Sequence, residues 1–252
     1  MKVLKHLLFA ATLIFAVSTI QAQVNVGVAI TARIAPPPLP VYVQPPCPVD
    51  GYLWQPGYWA WDPDTQSYYW VPGVWIAPPE VGFLWTPPYW GFEDGIYIFH
   101  RGYWGTHVGF YGDINYGFGY GGVGFVGGVW SGKVFRYNTA VVNVNKTVIH
   151  NTYVDKTVVV KNTTTNHASF NGPNGINAKP NTDEESAMKE NHSDFTDIQQ
   201  IHENNAKADK SQSFANNHGT PMNMSMDKVD GDHFNAGGRR FNFNNGGGVK
   251  KH

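Results

Sequence analysis

The stretch WQPGYWAWDPDTQSYYWVPGVW (residues 54–75) holds Trp-x-Pro-Gly-x-Trp twice, at Trp54–Trp59 and at Trp70–Trp75, with a polar, proline-broken segment between them. Trp59 and Trp61 alternate before Asp62-Pro63-Asp64, and Tyr68 and Trp70 alternate after it. Period-two spacing places each pair of rings on one strand face, and the polar break supplies a turn, so the stretch reads as a β-hairpin. Aromatic side chains favour strands for the same reason that they fill a pleated, half-buried surface. In Trp54-Gln-Pro-Gly-Tyr-Trp59, Pro followed by Gly suits a type II turn, because Pro presets φ and Gly accepts positive φ. The chain is therefore expected to bend at Pro56-Gly57.

A second copy follows. Gly51-Tyr52-Leu53-Trp54 recurs as Gly82-Phe83-Leu84-Trp85 and Tyr58-Trp59 as Tyr89-Trp90; later, Trp70, Gly73 and Trp75 recur as Phe99, Gly102 and Trp104. The spacing shortens only where DPDTQS faces EDG, and a length change confined to one polar spot marks a loop. In the second copy Trp90 and Phe92 precede Glu93-Asp94-Gly95 and Tyr97 and Phe99 follow it, with Asp-Gly the favoured chemistry of a tight primed turn.

The repeat positions Trp54, Gly57, Trp59, Trp70, Gly73, Trp75, Trp85, Trp90, Gly102 and Trp104 resemble the WXXGXW (YXWGXW) repeat proteins of bacterial cell envelopes, a family without established biochemical activity. The third motif departs from that pattern with Pro88 in place of Gly, and the fourth with Phe99 in place of Trp. The segments HVGFYGDINYGFGYGGVGFVGGVW (107–130) and NHASFNGPNGI (166–176) also look like parts of longer members.

Around the repeats the composition divides the chain. Lys2 and Lys5 precede an apolar run and a small-residue end at Ala22, which reads as a secretory signal peptide over 1–22. Its apolar run is shorter than the roughly 20 residues that span a bilayer. No cysteine follows it, so a lipid anchor is not expected. The protein is then exported, and periplasmic, outer-membrane-associated or extracellular, with no transmembrane segment after cleavage. Residues 23–48 form a Pro-rich extended lead-in and 49–105 the aromatic hairpins. Residues 106–170 are a Gly/aromatic and then a Val/Thr/Asn-rich β region, in which alternating Gly suggests strands that another layer approaches closely. Asn145-Lys-Thr-Val-Ile149 returns as Asp155-Lys-Thr-Val-Val159, which suggests two strands. In the linker and helical region, 171–210, Thr182 and Glu185 suggest a capping box, and Phe195, Ile198 and Ile201 a weakly amphipathic helix lying loosely on the surface, with helix expected over about 183–208. From 211 to 252 the polar, Asn/Gly-rich tail is expected to be disordered. The fold class is mainly β. An outer-membrane barrel is the weaker alternative, since the Pro-rich turns leave strands shorter than its usual ones.

Removal of residues 1–22 takes away two lysines and no acid, leaving a formal charge of −3. The basic residues are scattered, which argues against a nucleic-acid partner. Cys47 is the only cysteine, so no intrachain disulfide forms. No His-Glu-x-x-His, nucleophile elbow or phosphate loop is present, and no catalytic residue, cofactor or metal is expected. The acidic clusters Asp62-x-Asp64-x-Gln66 and Asp230-Gly231-Asp232 lack a full calcium loop, and turn chemistry accounts for Asp-Pro-Asp. Two functions fit. One is a non-enzymatic structural or assembly role in the cell envelope, with envelope proteins as partners. The other is binding of a cell-wall or matrix glycan on exposed faces of Trp59, Trp75, Trp90 and Trp104. Burial of those four rings separates the two.

Overall fold

A computed structural model describes residues 29–158 and 167–241, and in it the chain is mainly β. Residues 1–22, expected from the sequence to be a signal peptide, lie outside the described residues. After a short strand β1 (Thr31–Ala32), the lead-in runs to the first hairpin. That hairpin has a base of β2 (Leu53–Gln55) paired with β5 (Gly73–Ile76), and a tip of β3 (Tyr58–Asp62) paired with β4 (Ser67–Val71). The second copy repeats the plan: β6 (Leu84–Thr86) with β9 (Tyr103–Gly105), and β7 (Tyr89–Glu93) with β8 (Ile96–His100). The registers follow the aromatic spacing. Trp54 faces Trp75, Trp59 faces Trp70 and Trp61 faces Tyr68; Trp85 faces Trp104, Trp90 faces Phe99 and Phe92 faces Tyr97. Asp94 and Gly95 make the tight turn of the second tip with φ of 48° and 85°, both left-handed as a primed turn requires.

The Pro-Gly bend differs from expectation. Base and tip are separate ladders, so the chain does break there, but neither Gly57 nor Gly73 takes a left-handed φ. A type II turn is ruled out. Glycine is required by packing instead: a Cβ on Gly57 would lie inside the Trp70 indole, and one on Gly73 inside the Trp54 indole. The first Trp of each motif thus covers the Gly of the other, and the relation is reciprocal. In the second copy Trp85 covers Gly102 in the same way. The remaining pair there is Phe99 and Pro88, so the shorter ring and the bulkier residue occur together.

Beyond the repeats come β10 (Asn115–Gly117) and β11 (Tyr120–Gly121), then the hairpin of β12 (Gly128–Ser131) and β13 (Val134–Asn138), with β14 (Thr152–Tyr153) added in parallel. β15 (Phe170–Asn171), α1 (Thr182–Ala187) and α2 (Asp197–Ala208) follow, then a 3₁₀ turn at Lys210–Gln212 and α3 (Phe214–Asn217). The chain closes with β16 (Ser225–Met226), β17 (His233–Phe234) and β18 (Arg240–Phe241). The two copies receive different supports. The base of the first becomes part of a five-stranded sheet, β18-β17-β16-β5-β2, whereas the tip of the second becomes part of β1-β8-β7-β15.

Several expectations change here. The tail is placed, not disordered, from 211 to Phe241: Asn223, Met224, Ser225 and Met226 are buried, and β16 pairs with β5. Residues 242–252 lie outside the described residues. The valine-rich repeat yields turns rather than two strands over 145–149 and 155–158, and Val159 lies outside the described residues. Asn145 Oδ1 accepts from the N–H and hydroxyl of Thr147, and Asp155 Oδ1 does the same for Thr157, because a short polar side chain captures the backbone two residues on. In the Gly-rich stretch the strands are only two or three residues long, and left-handed glycines such as Gly117 and Gly119 turn the chain. The capping box of α1 is set by Asn181 and Glu184, one residue before the expected pair.

Helix α2 is docked, not loose, and its orientation is the reverse of the spacing of its apolar residues. Ile198 and Ile201 are 40 % and 45 % exposed, while Gln199, His202, Glu203 and Ala206 are buried. The reason is the surface that receives it, which offers polar groups from both hairpins.

Candidate functional site

Every tryptophan of the motif is buried. Trp59, Trp75, Trp90 and Trp104 are at most 2 % exposed, so none offers a ring face to a sugar, and the glycan reading loses these four residues. Trp54, Trp70 and Trp85 are fully buried beside them, and Gly57, Gly73 and Gly102 are buried under the rings. An indole buries a large apolar area but keeps one N–H, which needs an acceptor. Trp59 Nε1 donates to the carbonyl of Pro38 (3.1 Å) and Trp75 Nε1 to that of Pro45 (2.8 Å). Trp90 Nε1 donates to the carbonyl of Trp59 (2.8 Å), which links the two copies, and Trp70 Nε1 to that of Met224 (3.0 Å). A proline offers a carbonyl and no N–H. The lead-in is therefore a rail of acceptors laid along a row of donors.

Trp104 Nε1 reaches the side chain of Gln199 on α2 instead (2.7 Å). Gln199 also donates to Gln55 Oε1 (2.7 Å) and accepts from the Thr196 N–H (2.9 Å) as part of a capping box. One turn on, Glu203 accepts from the Tyr58 hydroxyl (3.3 Å) and pairs with Arg101 (3.4 Å), whose guanidinium lies over Phe195. Burial raises the Glu203 carboxyl above its ordinary value, with Arg101 opposing. His202 is neutral. Burial lowers its pKa to about 4, and its Nε2 donates to the Pro72 carbonyl (2.8 Å). Lys207 pairs with Asp62 (2.9 Å) at the tip of the first hairpin. These groups fasten α2 across one face of that hairpin.

Asp62 also accepts from the Thr65 hydroxyl (2.7 Å) and the Asp64 N–H (3.1 Å), so the Asp62-Pro-Asp64 segment is a capped turn. Among the described residues no group of three or more His, Cys, Asp or Glu side chains is arranged to hold a metal ion. Cys47 is buried, and burial pushes its thiol up to about 12, so it is a thiol and not a thiolate at neutral pH.

An aromatic surface that opens to solvent lies elsewhere, in a cleft of about 190 Å³ between the lead-in and the Gly-rich segment. Half-buried Tyr42 and Phe118 line it, with Trp70 and Tyr116 deeper and Val41, Asn115 and His167 at the rim. The Tyr42 and Phe118 rings are 5.2 Å apart, and the Tyr42 hydroxyl accepts from the Gly57 N–H (3.0 Å). Phe118 has a φ of 51°, between Gly117 and Gly119 at 73° and 98°. Reading the sequence for tryptophan passes over these residues. The available signals are a tyrosine between valines in a proline run and a phenylalanine between glycines. Gln199 has no such signal, since a polar helix residue ordinarily marks the solvent side.

Residues 50–75 match the family model described as WXXGXW repeat (2 copies). No curated protein and no solved structure matches the chain. The chain thus carries two WXXGXW repeats, both within its first hairpin, and the second hairpin, with Pro88 and Phe99, lies outside the matched span.

Proposed function

We propose that the protein is an exported, non-enzymatic component of the cell envelope, in which the WXXGXW-type repeats provide a structural or assembly scaffold. The observation that carries this reading is the use of the motif itself. Its rings cover the glycines of the opposite motif, and the indole donors of Trp59, Trp70, Trp75, Trp90 and Trp104 end on internal acceptors. A motif whose tryptophans are all buried is a folding device. Export is supported by the charged, apolar and small-residue order of residues 1–22.

Assembly has a suitable edge in β12. It is the outer strand of β12-β13-β14, Val129 is 49 % exposed, and residues 127–132 (GGVWSG) contain no charge or proline of the kind that blunts sheet edges. The test is twofold. Fractionation of the producing cell with N-terminal sequencing should find a mature chain outside the cytoplasm that begins near Gln23. Sizing by light scattering should show an oligomer that Val129→Pro reduces to a monomer of unchanged circular dichroism. A cytoplasmic, uncleaved chain would reject export, and a monomeric wild type would reject assembly through this edge.

A further inference from the structure

We propose that the cleft between Tyr42 and Phe118 holds a neutral pyranose ring of a polysaccharide. This site is separate from the four tryptophans and from the assembly edge. Three observations support it. First, among the described residues no Asp, Glu, Lys or Arg lines the cleft, which therefore offers none of their charges to a phosphate, a carboxylate or an amine. Second, its floor is aromatic and its rim is polar, with Asn115, His167 and the backbone of the lead-in beside the rings. A sugar ring has the same division, with apolar C–H faces and a hydroxyl edge. Pockets that orient such ligands combine an apolar floor with a few placed polar groups.

The third observation is the backbone of Phe118. A bulky aromatic residue with a φ of 51° is an outlier, and such a conformation costs on the order of 1–3 kcal/mol. Glycines occupy both neighbouring positions, and a third would remove the cost. Phenylalanine remains, with its ring half-exposed against Tyr42 (5.2 Å) and Trp54 (5.8 Å). Strain held at an open aromatic cleft is what ligand positioning predicts, and the same ring also packs on the core at Trp54. Tyr42 is fixed from below by the Gly57 N–H, so its ring is oriented before any ligand arrives.

The source of the sugar is left to the arms of the experiment. Mature protein, residues 23–252, is incubated with insoluble cellulose, chitin and peptidoglycan, and the bound fraction is measured beside Phe118→Gly and Val41→Glu. Glycine adopts the left-handed conformation freely, so Phe118→Gly relieves the backbone while removing the ring. Val41 is 68 % exposed at the rim, so Val41→Glu leaves the core intact and places a charged side chain at the cleft. The expected result is retention on at least one polymer, weakened roughly tenfold or more by Phe118→Gly, as for loss of one aromatic anchor. Val41→Glu should also weaken it, and circular dichroism melts of both variants should stay cooperative. Retention on none of the three polymers overturns the proposal. So does a folded Phe118→Gly, or a Val41→Glu, that binds like the wild type. If Phe118→Gly does not fold, Val41→Glu alone decides. None of these outcomes depends on export or oligomeric state, which the fractionation and sizing measurements test separately.

Discussion

The two hairpin copies share an aromatic skeleton and are held in opposite ways. In the first, Gly57 and Gly73 are both roofed by tryptophan, α2 covers the face carrying Tyr58 and Asp62, and C-terminal strands extend the base. In the second, one roof is Trp85 over Gly102 and the other pair is Phe99 with Pro88. There β1 and β15 extend the tip, and the face that corresponds to the helix-covered one carries a stacked, half-exposed Tyr89 and His100. The comparison separates what the motif needs from what its surroundings need. The motif needs a ring over a small residue, and five of its indoles find an acceptor while the buried N–H groups of Trp54 and Trp85 find none among the described residues; the covering element is free to change.

The strongest test removes the rings. Trp75→Ala and Trp104→Ala, at matching positions in the two copies, should each lower stability by about 3–5 kcal/mol in urea denaturation. Replacement by Phe should split them. Trp75→Phe strands the Pro45 carbonyl, whereas after Trp104→Phe Gln199 Oε1 keeps the Thr196 N–H, so the second substitution should cost less. Equal losses would remove the distinction between a backbone and a side-chain acceptor.

In the first copy acid acts through His202, and in the second His100, also lowered by burial, adds to the effect. The folded pKa of His202 is depressed from 6.5 to about 4, so its stabilising contribution is complete above pH 6.5 and lost as pH falls through 4. The shift corresponds to up to roughly 3 kcal/mol. Glu203, raised by burial, binds its proton more readily in the fold and offsets part of the loss at the acid end. Asp230 and His233 line the same small cavity as His202. Stability measured from pH 7 to pH 4 should fall, and the slope should flatten in His202→Gln. An unchanged slope would mean that α2 is not fastened through this residue.

Gly57→Ala should cost about 1–3 kcal/mol by overpacking against Trp70 and the backbone N of Gly73, and less in a Trp70→Phe background, which imitates the second copy and leaves only the Gly73 contact. Additive losses would mean that Phe99 beside Pro88 is coincidence and not compensation. The smallest effect belongs to the helix. Ile198→Ser and Ile201→Ser should each change stability by less than about 0.5 kcal/mol, as exposed substitutions do, while Gln199→Ala should cost about 1–3 kcal/mol by leaving Trp104 and Gln55 without their partner. A reversed order would restore the apolar spacing of the helix as its buried face.

The hairpins, their registers and the Asp94-Gly95 turn were legible in the sequence, because strand alternation and turn conformation depend on neighbours a few residues away. Tertiary structure alone decided why Gly57 is glycine, since the indole that demands it comes from Trp70 across the hairpin and not from the local φ. It also decided that α2 turns Gln199, His202 and Glu203 inward, because a face already rich in Gln55, Tyr58 and the Trp104 N–H rewards hydrogen bonds more than apolar area. The order of residues 211–241 arises in the same way: a polar segment with few hydrophobic residues is held where β5 offers a free strand edge and Trp70 offers an indole N–H. Each of these depends on groups brought together from distant parts of the chain, and a local pattern contains no record of them.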